Sequence, residues 1–177
     1  GIDLVIANAG LRVSNRILQG DASEVAHLFQ VNLIGVTNTI VPFIPAMTRS
    51  KAGVLCAISS VAGFRGLPQS GPYCASKAAV KMFMDSLRMD LHGTGVHAMT
   101  ICPGFVTTPM TKTNKSMIFL LDVDRAVKLM TRSLLRQDDT YTFPWQMRLL
   151  KEGLKRFPER FVRAFGTIKK DPPRLNK

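Results

Sequence analysis

The chain has 177 residues, of which 46% are hydrophobic and 20% are charged, and these fractions exclude a disordered, collagen-like or mucin-like protein. The length suits one domain with a single hydrophobic core. The formal net charge of +12 suggests a nucleic acid or an anionic membrane surface as a partner, but ten Lys or Arg against three Asp or Glu lie in the segment 145–177 alone.

Short apolar runs alternate along the chain with longer segments of helical periodicity, which is typical of a parallel sheet covered by helices. Pro42 and Pro45 are expected to kink or shorten the first helix. The predicted strands are 4–7, 53–59, 96–102 and the weaker 140–143. The predicted helices are 23–47, entered through the capping-type sequence 21–24, then 72–91, 122–135, 145–156 and a piece that starts at Pro158. The fold class is therefore α/β.

Cysteine and histidine positions give no sign of a disulfide or a metal site. Cys56, Cys74 and Cys102 cannot all pair, so they are interpreted as reduced thiols of a cytoplasmic protein. The three histidines lie in different predicted elements, a helix, a helix end and a strand, and no metal is expected. No apolar run reaches the roughly 18 uninterrupted residues of a membrane span, and the first ten residues do not resemble a signal peptide.

Tyr73 and Lys77 stand four residues apart in the clearest predicted helix, so their side chains share one face. A phenol with a pKa near ~10 works as an acid or base at neutral pH only if a neighbouring group lowers that pKa, and a lysine ammonium can do so. This spacing alone is a weak signal. Ser60 strengthens it, because it directly follows a buried strand, and ligands of open parallel sheets bind at the carboxyl ends of strands.

The sequence resembles the short-chain dehydrogenase/reductase family, because five motifs occur in the family's order and with its separations. They are Asn8-Ala9-Gly10, VNLIG at 31–35, ISSVAG at 58–63, YCASK at 73–77 as Y-x-x-x-K, and PGFVTT at 103–108 as P-G-x-V-x-T. Ala7 replaces the first Asn of the family's N-N-A-G. The resemblance spans residues 4 to about 110 and implies a Rossmann-like, doubly wound parallel sheet.

The resemblance implies an NAD(P)(H)-dependent oxidoreductase that transfers a hydride between nicotinamide and a carbonyl or secondary alcohol carbon. Tyr73 would be the general acid or base, Ser60 would hold the substrate oxygen, and the Asn32 backbone would complete a proton relay to Lys77. The implied catalytic residues are Asn32, Ser60, Tyr73 and Lys77. The implied cofactor-binding residues are Asn8, Ala9, Gly10, Tyr73, Lys77, Pro103, Gly104, Val106 and Thr108. The choice between NAD and NADP stays open.

The family's Gly-rich pyrophosphate turn does not occur in the sequence, and its place would precede Gly1. We therefore expect a fragment without the N-terminal strands, with an open hydrophobic edge at 4–7 and little activity alone. Residues 1–143 would be the C-terminal part of the Rossmann-like domain, and 144–177 a basic helical extension. The full-length protein would form a homo-oligomer.

The extension carries an apolar stripe at helical spacing. Core or subunit contact is the favoured role, and a peripheral membrane helix that binds anionic lipid is the alternative. Nucleic acid is disfavoured because the aromatic residues lie on the stripe rather than among the charges. The stripe is Leu150, Leu154, Phe157, Phe161 and Phe165, opposite Arg148, Lys151, Lys155, Arg156, Arg160 and Arg163.

The predicted substrate wall consists of Phe64, Leu67, Met110 and Met117. These apolar side chains favour a hydrophobic carbonyl compound or secondary alcohol. A non-catalytic scaffold or binding protein is the alternative, because a fold does not guarantee an activity. The intact set of Asn32, Ser60, Tyr73 and Lys77 argues for an enzyme.

Overall fold

The computed structural model describes residues 1–12, 22–108, 111 and 118–156. At its centre is a four-stranded sheet in the order β1-β2-β3-β4, and each neighbouring pair of strands is parallel. The strands are Leu4–Ala7 (β1), Gly53–Ile58 (β2), Val96–Pro103 (β3) and Thr140–Phe143 (β4). The four predicted strands are confirmed, and no strand end differs from its predicted position by more than one residue.

In the described part of the chain, six α-helices lie around the sheet. They are Ser23–Phe29 (α1), Gly35–Ile40 (α2), Ile44–Ser50 (α3), Gly71–Asp90 (α4), Val123–Arg136 (α5) and Trp145–Arg156 (α6). A π-helical turn, Gln30–Ile34, joins α1 to α2, and a 3-10 turn, Val41–Phe43, joins α2 to α3. The prolines at 42 and 45 are each the second residue of a new helical segment, in the first turn, where a missing N–H is tolerated.

The first predicted helix, 23–47, is therefore a broken helical stretch over 23–50. No side chain caps its start at Ala22, and Asp21 of the predicted capping sequence lies outside the described residues. The helical piece predicted from Pro158 also lies outside them. The other helices agree with their predicted limits to within one residue.

Side chains that alternate along the strands fill two separate cores. Leu55 and Ala57 of β2 pack with buried residues of α2, α3 and α4, whereas Cys56 packs on the opposite face with α5. Helices thus cover both faces, as in a doubly wound α/β sheet, and the predicted fold class is confirmed. All three cysteines are buried free thiols, as predicted.

Strand β1 forms one edge of the sheet in the described part of the chain. Val5 and Ala7 are buried, but Leu4 and Ile6, which point to the other face, are 45% and 42% exposed. An edge strand with exposed apolar side chains is a surface onto which further chain can pack. This is the open edge that the sequence predicts at 4–7.

The helical stretch Ser23–Ser50 has a mean hydropathy of 1.3, and it is the one segment among the described residues that is long and apolar enough to cross a membrane. Leu28, Val36 and Ile40 on this stretch are buried. Val36 and Ile40 belong to the core that the sheet shares with α4. The apolar composition therefore serves in part to pack this stretch against the sheet.

Arg88 fixes the C-terminal half of α4 to the sheet. Its Nε donates to Ala98 O at 2.7 Å, and its Nη2 donates to Asp139 O at 2.6 Å. Asp85, one turn earlier, pairs with both Arg88 and Lys81. These contacts hold α4 so that its N-terminal half lies at the carboxyl ends of β2 and β3.

Gly95→Ala should lower the free energy of unfolding by several kcal/mol more than Gly93→Ala. Both glycines have a positive φ, of 81° and 77°, which costs alanine about 1 kcal/mol. Only at Gly95 would the added Cβ also collide with backbone, at 2.1 Å from Lys51 O, whereas Gly93 faces open space. Urea unfolding of the two full-length variants tests this, and equal losses would contradict the packing of Lys51 on Gly95.

Candidate active site

The candidate active site lies where β1, β2 and β3 end and α4 begins. Residues 8–10 follow β1, Ser59 and Ser60 follow β2, and residues 104–108 follow β3. Because parallel strands end at the same edge of a sheet, these loops meet at the N-terminal half of α4. The motifs that are separate in the sequence are therefore neighbours in space.

The Lys77 side chain is buried in this edge, with only 4% of its surface exposed. Its Nζ donates a hydrogen bond to Ile58 O at 2.9 Å. The chain after β1 also approaches it closely, since a Cβ on Gly10 would lie 3.2 Å from Nζ. Burial lowers the pKa of Lys77 from 10.5 to about 8, because the ammonium has lost water.

The backbone of Lys77 is a docking point for the segment after β2. Ser59 Oγ donates to Lys77 O at 2.7 Å, and both partners are buried. A Cβ on Gly63 would lie 2.8 Å from the Lys77 carbonyl carbon, so the 3-10 turn Val61–Phe64 can approach α4 only with glycine at 63. Ser59 and Gly63 are missing from the predicted site, although both belong to the ISSVAG motif that contains Ser60.

Ser60 and Tyr73 come together in the structure. Ser60 has an extended backbone, and its Oγ accepts a hydrogen bond from Ala62 N at 3.1 Å. The Ser60 hydroxyl also lies beside the Tyr73 phenol, where its ability to donate a hydrogen bond lowers the phenol pKa. A hydroxyl and a phenol in this position can act on one substrate oxygen.

Burial raises the pKa of Tyr73 above its usual value, and this effect outweighs the lowering by Ser60 and by the charge of Arg12. The sequence led us to expect that Lys77 lowers the Tyr73 pKa, but the structure differs. Lys77 Nζ lies 5.9 Å from the centre of the Tyr73 ring and bonds instead to Ile58 O. Among the described residues, Arg12 is the cation whose charge lowers the phenol pKa.

Asn32 is fully buried in the π-helical turn and ties the chain after β1 to α4. Its Oδ1 accepts a hydrogen bond from Leu11 N at 2.8 Å. Its Nδ2 donates to Leu11 O at 2.9 Å and to Ser76 Oγ at 3.1 Å. Ser76 Oγ in turn donates to Tyr73 O at 2.9 Å. The side chain is thus engaged with Leu11 and Ser76, which the sequence did not indicate. The role of the Asn32 backbone in a proton relay stays a prediction. Turns of this π type are frequent at functional sites.

The loop after β3 packs against β4 and α6. Gly104, which follows the last residue of β3, Pro103, donates its N–H to Phe143 O at 2.7 Å. A Cβ on Gly104 would lie 2.8 Å from Met147 Cγ. The first turn of α6 therefore rests on the predicted cofactor loop, and the domain boundary between 143 and 144 stays a prediction.

Thr111 closes the turn that contains the predicted carboxamide-binding groups. Its hydroxyl donates to Val106 O at 2.7 Å and accepts from Thr108 N at 2.8 Å. Val106 also forms a β-bridge with Leu121. The structure therefore brings Val106 and Thr108 together through Thr111, a residue that follows the P-G-x-V-x-T motif and that the sequence analysis missed.

The predicted substrate wall is only partly tested. The Leu67 carbonyl accepts from Ser70 N at 3.2 Å, so Leu67 lies at the start of α4, close to Tyr73 in the chain. The ring of Phe64 lies 5.5 Å from Lys81 Nζ, about two helical turns beyond Tyr73. Of the two residues, Leu67 is the one next to the first turn of α4, and contact of either side chain with a substrate stays a prediction. Met110 and Met117 lie outside the described residues.

Other polar groups lie away from this edge. A shallow cavity of about 440 Å³ between His92, Val96 and Asp139 is at the amino end of β3, at the opposite end of the sheet. Within the described ranges, no three His, Cys, Asp or Glu side chains are grouped so that they could hold a metal ion. The carboxyl edge is thus the place where chemistry-bearing side chains gather.

Residues 1–118 match the family model of short chain dehydrogenases. The chain belongs to the short chain dehydrogenase family. It is 42% identical over 148 residues to an uncharacterized oxidoreductase of Myxococcus xanthus, covering 83% of this chain and 58% of that protein. It is 29% identical over 171 residues to rat 17-beta-hydroxysteroid dehydrogenase 13, covering 94% of this chain and 57% of that protein.

Solved structures of the short chain dehydrogenase family have the same fold. The crystal structure of a Burkholderia cenocepacia short chain dehydrogenase in complex with NADP has a TM-score of 0.80 at 24% identity, covering 95% of this chain and 70% of that chain. A Sphingobium yanoikuyae short-chain dehydrogenase in complex with NADPH has a TM-score of 0.77 at 21% identity, covering 97% of this chain and 67% of that chain. The chain thus spans less than two thirds of the curated relatives and about two thirds of these structures.

Lys77→Met should make the full-length protein, without added nucleotide, more stable than wild type by up to roughly 3 kcal/mol at pH 7. Below pH 8 the folded protein bears the full cost of a buried ammonium. Between pH 8 and 10.5, Lys77 is neutral in the folded protein but still binds a proton in the unfolded chain. The free energy of unfolding of the wild type therefore rises with pH, and the stability advantage of Lys77→Met disappears.

Denaturant unfolding of both proteins at pH 7, 9 and 10.5 measures the difference. Lys81→Met is the matched control one turn further along α4, because it loses an ion pair with Asp85 and should gain no stability. A gain for Lys77→Met that stays constant across this pH range would contradict the burial of a charged Lys77.

Proposed function

We propose that the full-length protein is an NAD(P)(H)-dependent oxidoreductase that interconverts a carbonyl compound and a secondary alcohol, with Tyr73 as the general acid or base. The placement of the Ser60 hydroxyl beside the Tyr73 phenol carries this proposal. The two groups can bind one substrate oxygen, and Lys77 Nζ lies 5.9 Å from the centre of the Tyr73 ring. Membership of the short chain dehydrogenase family supports an oxidoreductase of this class.

A bound nicotinamide would supply the hydride chemistry. In reduction, the Tyr73 phenol gives its proton to the carbonyl oxygen, and burial keeps that phenol protonated at neutral pH. The Ser60 hydroxyl donates a hydrogen bond to the same oxygen while negative charge develops there. In oxidation the alcohol proton moves to Tyr73, and the Asn32 backbone and Lys77 carry protons to and from the site.

The residues at this edge fit the nicotinamide end of an NAD(P) molecule. Lys77 Nζ uses one donor on Ile58 O within the described structure, which leaves two for ribose hydroxyls. Gly10 leaves space beside Nζ that a side chain would fill. Val106 and Thr108 would hold the carboxamide, and the other contacts would come from Asn8, Ala9, Tyr73, Pro103 and Gly104. Two related structures are complexes with NADP and NADPH, and the proposal covers both NAD and NADP.

The proposed substrate is hydrophobic. Leu67 lies at the start of α4, and Met110 and Met117 are proposed to complete the wall around the reacting carbon. One relative is named 17-beta-hydroxysteroid dehydrogenase 13, which supports a hydrophobic secondary alcohol or ketone as the substrate class. Apolar walls with few polar groups bind such molecules through burial of their surface.

Tyr73→Phe should lower kcat/KM for NAD(P)H-dependent reduction of a hydrophobic carbonyl panel by at least about 100-fold, because the proton donor is lost. Tyr141→Phe is the matched control, since Tyr141 stacks on Phe143 in β4 and should keep wild-type activity. NADH and NADPH are both assayed with the full-length protein. Equal rates for wild type and Tyr73→Phe would refute the role of Tyr73, and no turnover by wild type would favour the non-catalytic scaffold.

We further propose that the protein is cytoplasmic and that it rests on an anionic membrane surface through α6. Trp145 and Leu149, one turn apart, are 67% and 63% exposed, whereas Met147 between them is buried. Arg148 adds a basic group to the same turn. Exposed aromatic and aliphatic side chains beside cations are typical of interfacial helices. The exposed pair is separate from the stripe predicted over 150–165, most of which lies outside the described residues.

Binding to vesicles tests this location. The double variant Trp145→Ser, Leu149→Ser should cosediment with anionic vesicles several-fold less than wild type, while Leu135→Ser should not differ. Leu135 is 81% exposed on α5 and is the control for loss of an apolar surface residue. Equal sedimentation of wild type with anionic and neutral vesicles would contradict the proposal.

The homo-oligomer stays a proposal. Met82 and Met89 on α4 are 69% and 72% exposed. Ile34 and Val41 on the helical stretch 23–50 are also exposed. Exposed apolar side chains on two long helical segments provide surface that a second copy could cover.

A further inference from the structure

Arg12 is held beside the start of α4 by contacts that the sequence motifs do not indicate. The Asn32 amide bonds both the N–H and the carbonyl of Leu11, at 2.8 and 2.9 Å, and so sets the direction of the chain into Arg12. Arg12 Nη2 then donates to Ser70 Oγ at 2.9 Å. Since Ser70 precedes Tyr73 by three residues, the guanidinium lies beside the first turn of the helix that carries the phenol.

Ser70 occupies the N-cap position of α4, but its side chain does not cap the helix. A serine at this position usually accepts a hydrogen bond from a backbone N–H of the first turn. Here its oxygen accepts from Arg12 instead. A cation beside a helix N-terminus is unfavourable, because the unpaired N–H groups already make that end positive. Two sources of positive charge therefore meet next to Tyr73.

The described part of the chain offers no acidic partner for this charge. None of the ion pairs among the described residues involves Arg12. Arg12 is exposed, and it uses one of its five N–H donors on Ser70. Its charge opposes the rise that burial gives to the pKa of the Tyr73 phenol and of the Cys74 thiol. Through its bond to Ser70, the guanidinium lies beside the turn that carries Tyr73, and it has donors available for a planar anion.

We infer that Arg12 is a specificity-determining residue that selects substrates with a carboxylate close to the reacting carbonyl or alcohol carbon. The inference rests on the proposed function and names its substrate class. A carboxylate accepts two parallel hydrogen bonds from a guanidinium, whereas a neutral ester of similar shape lacks the charge. The substrate is then a hydroxy or oxo acid whose apolar part lies against Leu67.

Turnover of paired substrates tests the inference with the full-length enzyme. For an aromatic oxo acid, Arg12→Gln should lower kcat/KM by roughly 10- to 100-fold, mainly through KM, and should change kcat/KM for the methyl ester by less than about threefold. Arg12→Lys should keep part of the preference for the acid over the ester, because lysine keeps the positive charge but cannot form the two parallel hydrogen bonds of a guanidinium. Arg49→Gln, an exposed arginine in the last turn of α3, is the charge control and should affect neither substrate.

An equal loss for acid and ester, or no loss for the acid, would overturn the inference. A binding measurement separates it from the proposed function, because it needs no turnover. By calorimetry, wild type should bind benzoate more tightly than benzamide, and Arg12→Gln should bind both alike. Equal affinities for the two probes in wild type would also overturn the inference. A benzoate preference that depends on Arg12, without turnover of any carbonyl compound, would refute the oxidoreductase and retain the anion site.

Discussion

The burial of one ammonium group, that of Lys77, governs the arrangement of the whole carboxyl edge. Removing a cation from water costs free energy, which is why its pKa falls to about 8. The Ile58 carbonyl compensates at Nζ, while the contacts of Ser59 and Gly63 with the lysine backbone keep α4 against the end of β2. Gly10 completes the enclosure from β1. Loops that follow separate strands are therefore ordered around one charge.

The Asn32 amide organises the other side of the same edge. It is fully buried, and each hydrogen bond it makes crosses between segments that are distant in the chain: Leu11 is 21 residues away and Ser76 is 44 residues away. Leaving such an amide unpaired would cost about 1–3 kcal/mol, so these contacts constrain both partners. Lys77 and Asn32 together place Tyr73 on one side and the chain into Arg12 on the other. The geometry of the candidate site thus depends on polar burial more than on any single loop.

The strands were predictable because each is a short, largely apolar run that is followed by Gly, Asn, Ser or Pro. Ala7, for example, is followed by Asn8, and Phe143 by Pro144. The family motifs likewise predicted that Ser60, Tyr73 and Lys77 would meet. The π-helical turn at 30–34 was not predictable from periodicity, because it occurs where the Asn32 amide makes long-range hydrogen bonds. The raised pKa of Tyr73 was also missed, since residue spacing shows which side chains share a face but not how deeply they are buried.

The charges around Tyr73 connect substrate binding to the direction of proton transfer. In the free site, Arg12 lowers the phenol pKa, while burial raises it by more. A carboxylate bound to Arg12 would offset the positive charge, so the lowering would shrink and the phenol would hold its proton more firmly. A protonated phenol is the form that donates to a carbonyl oxygen. Because burial already keeps the phenol protonated at neutral pH, an oxo acid or hydroxy acid at this site would act on the strength of Tyr73 as an acid and base. The phenol would become a weaker acid in reduction and its phenolate a stronger base in oxidation, whereas a neutral ketone would leave both unchanged.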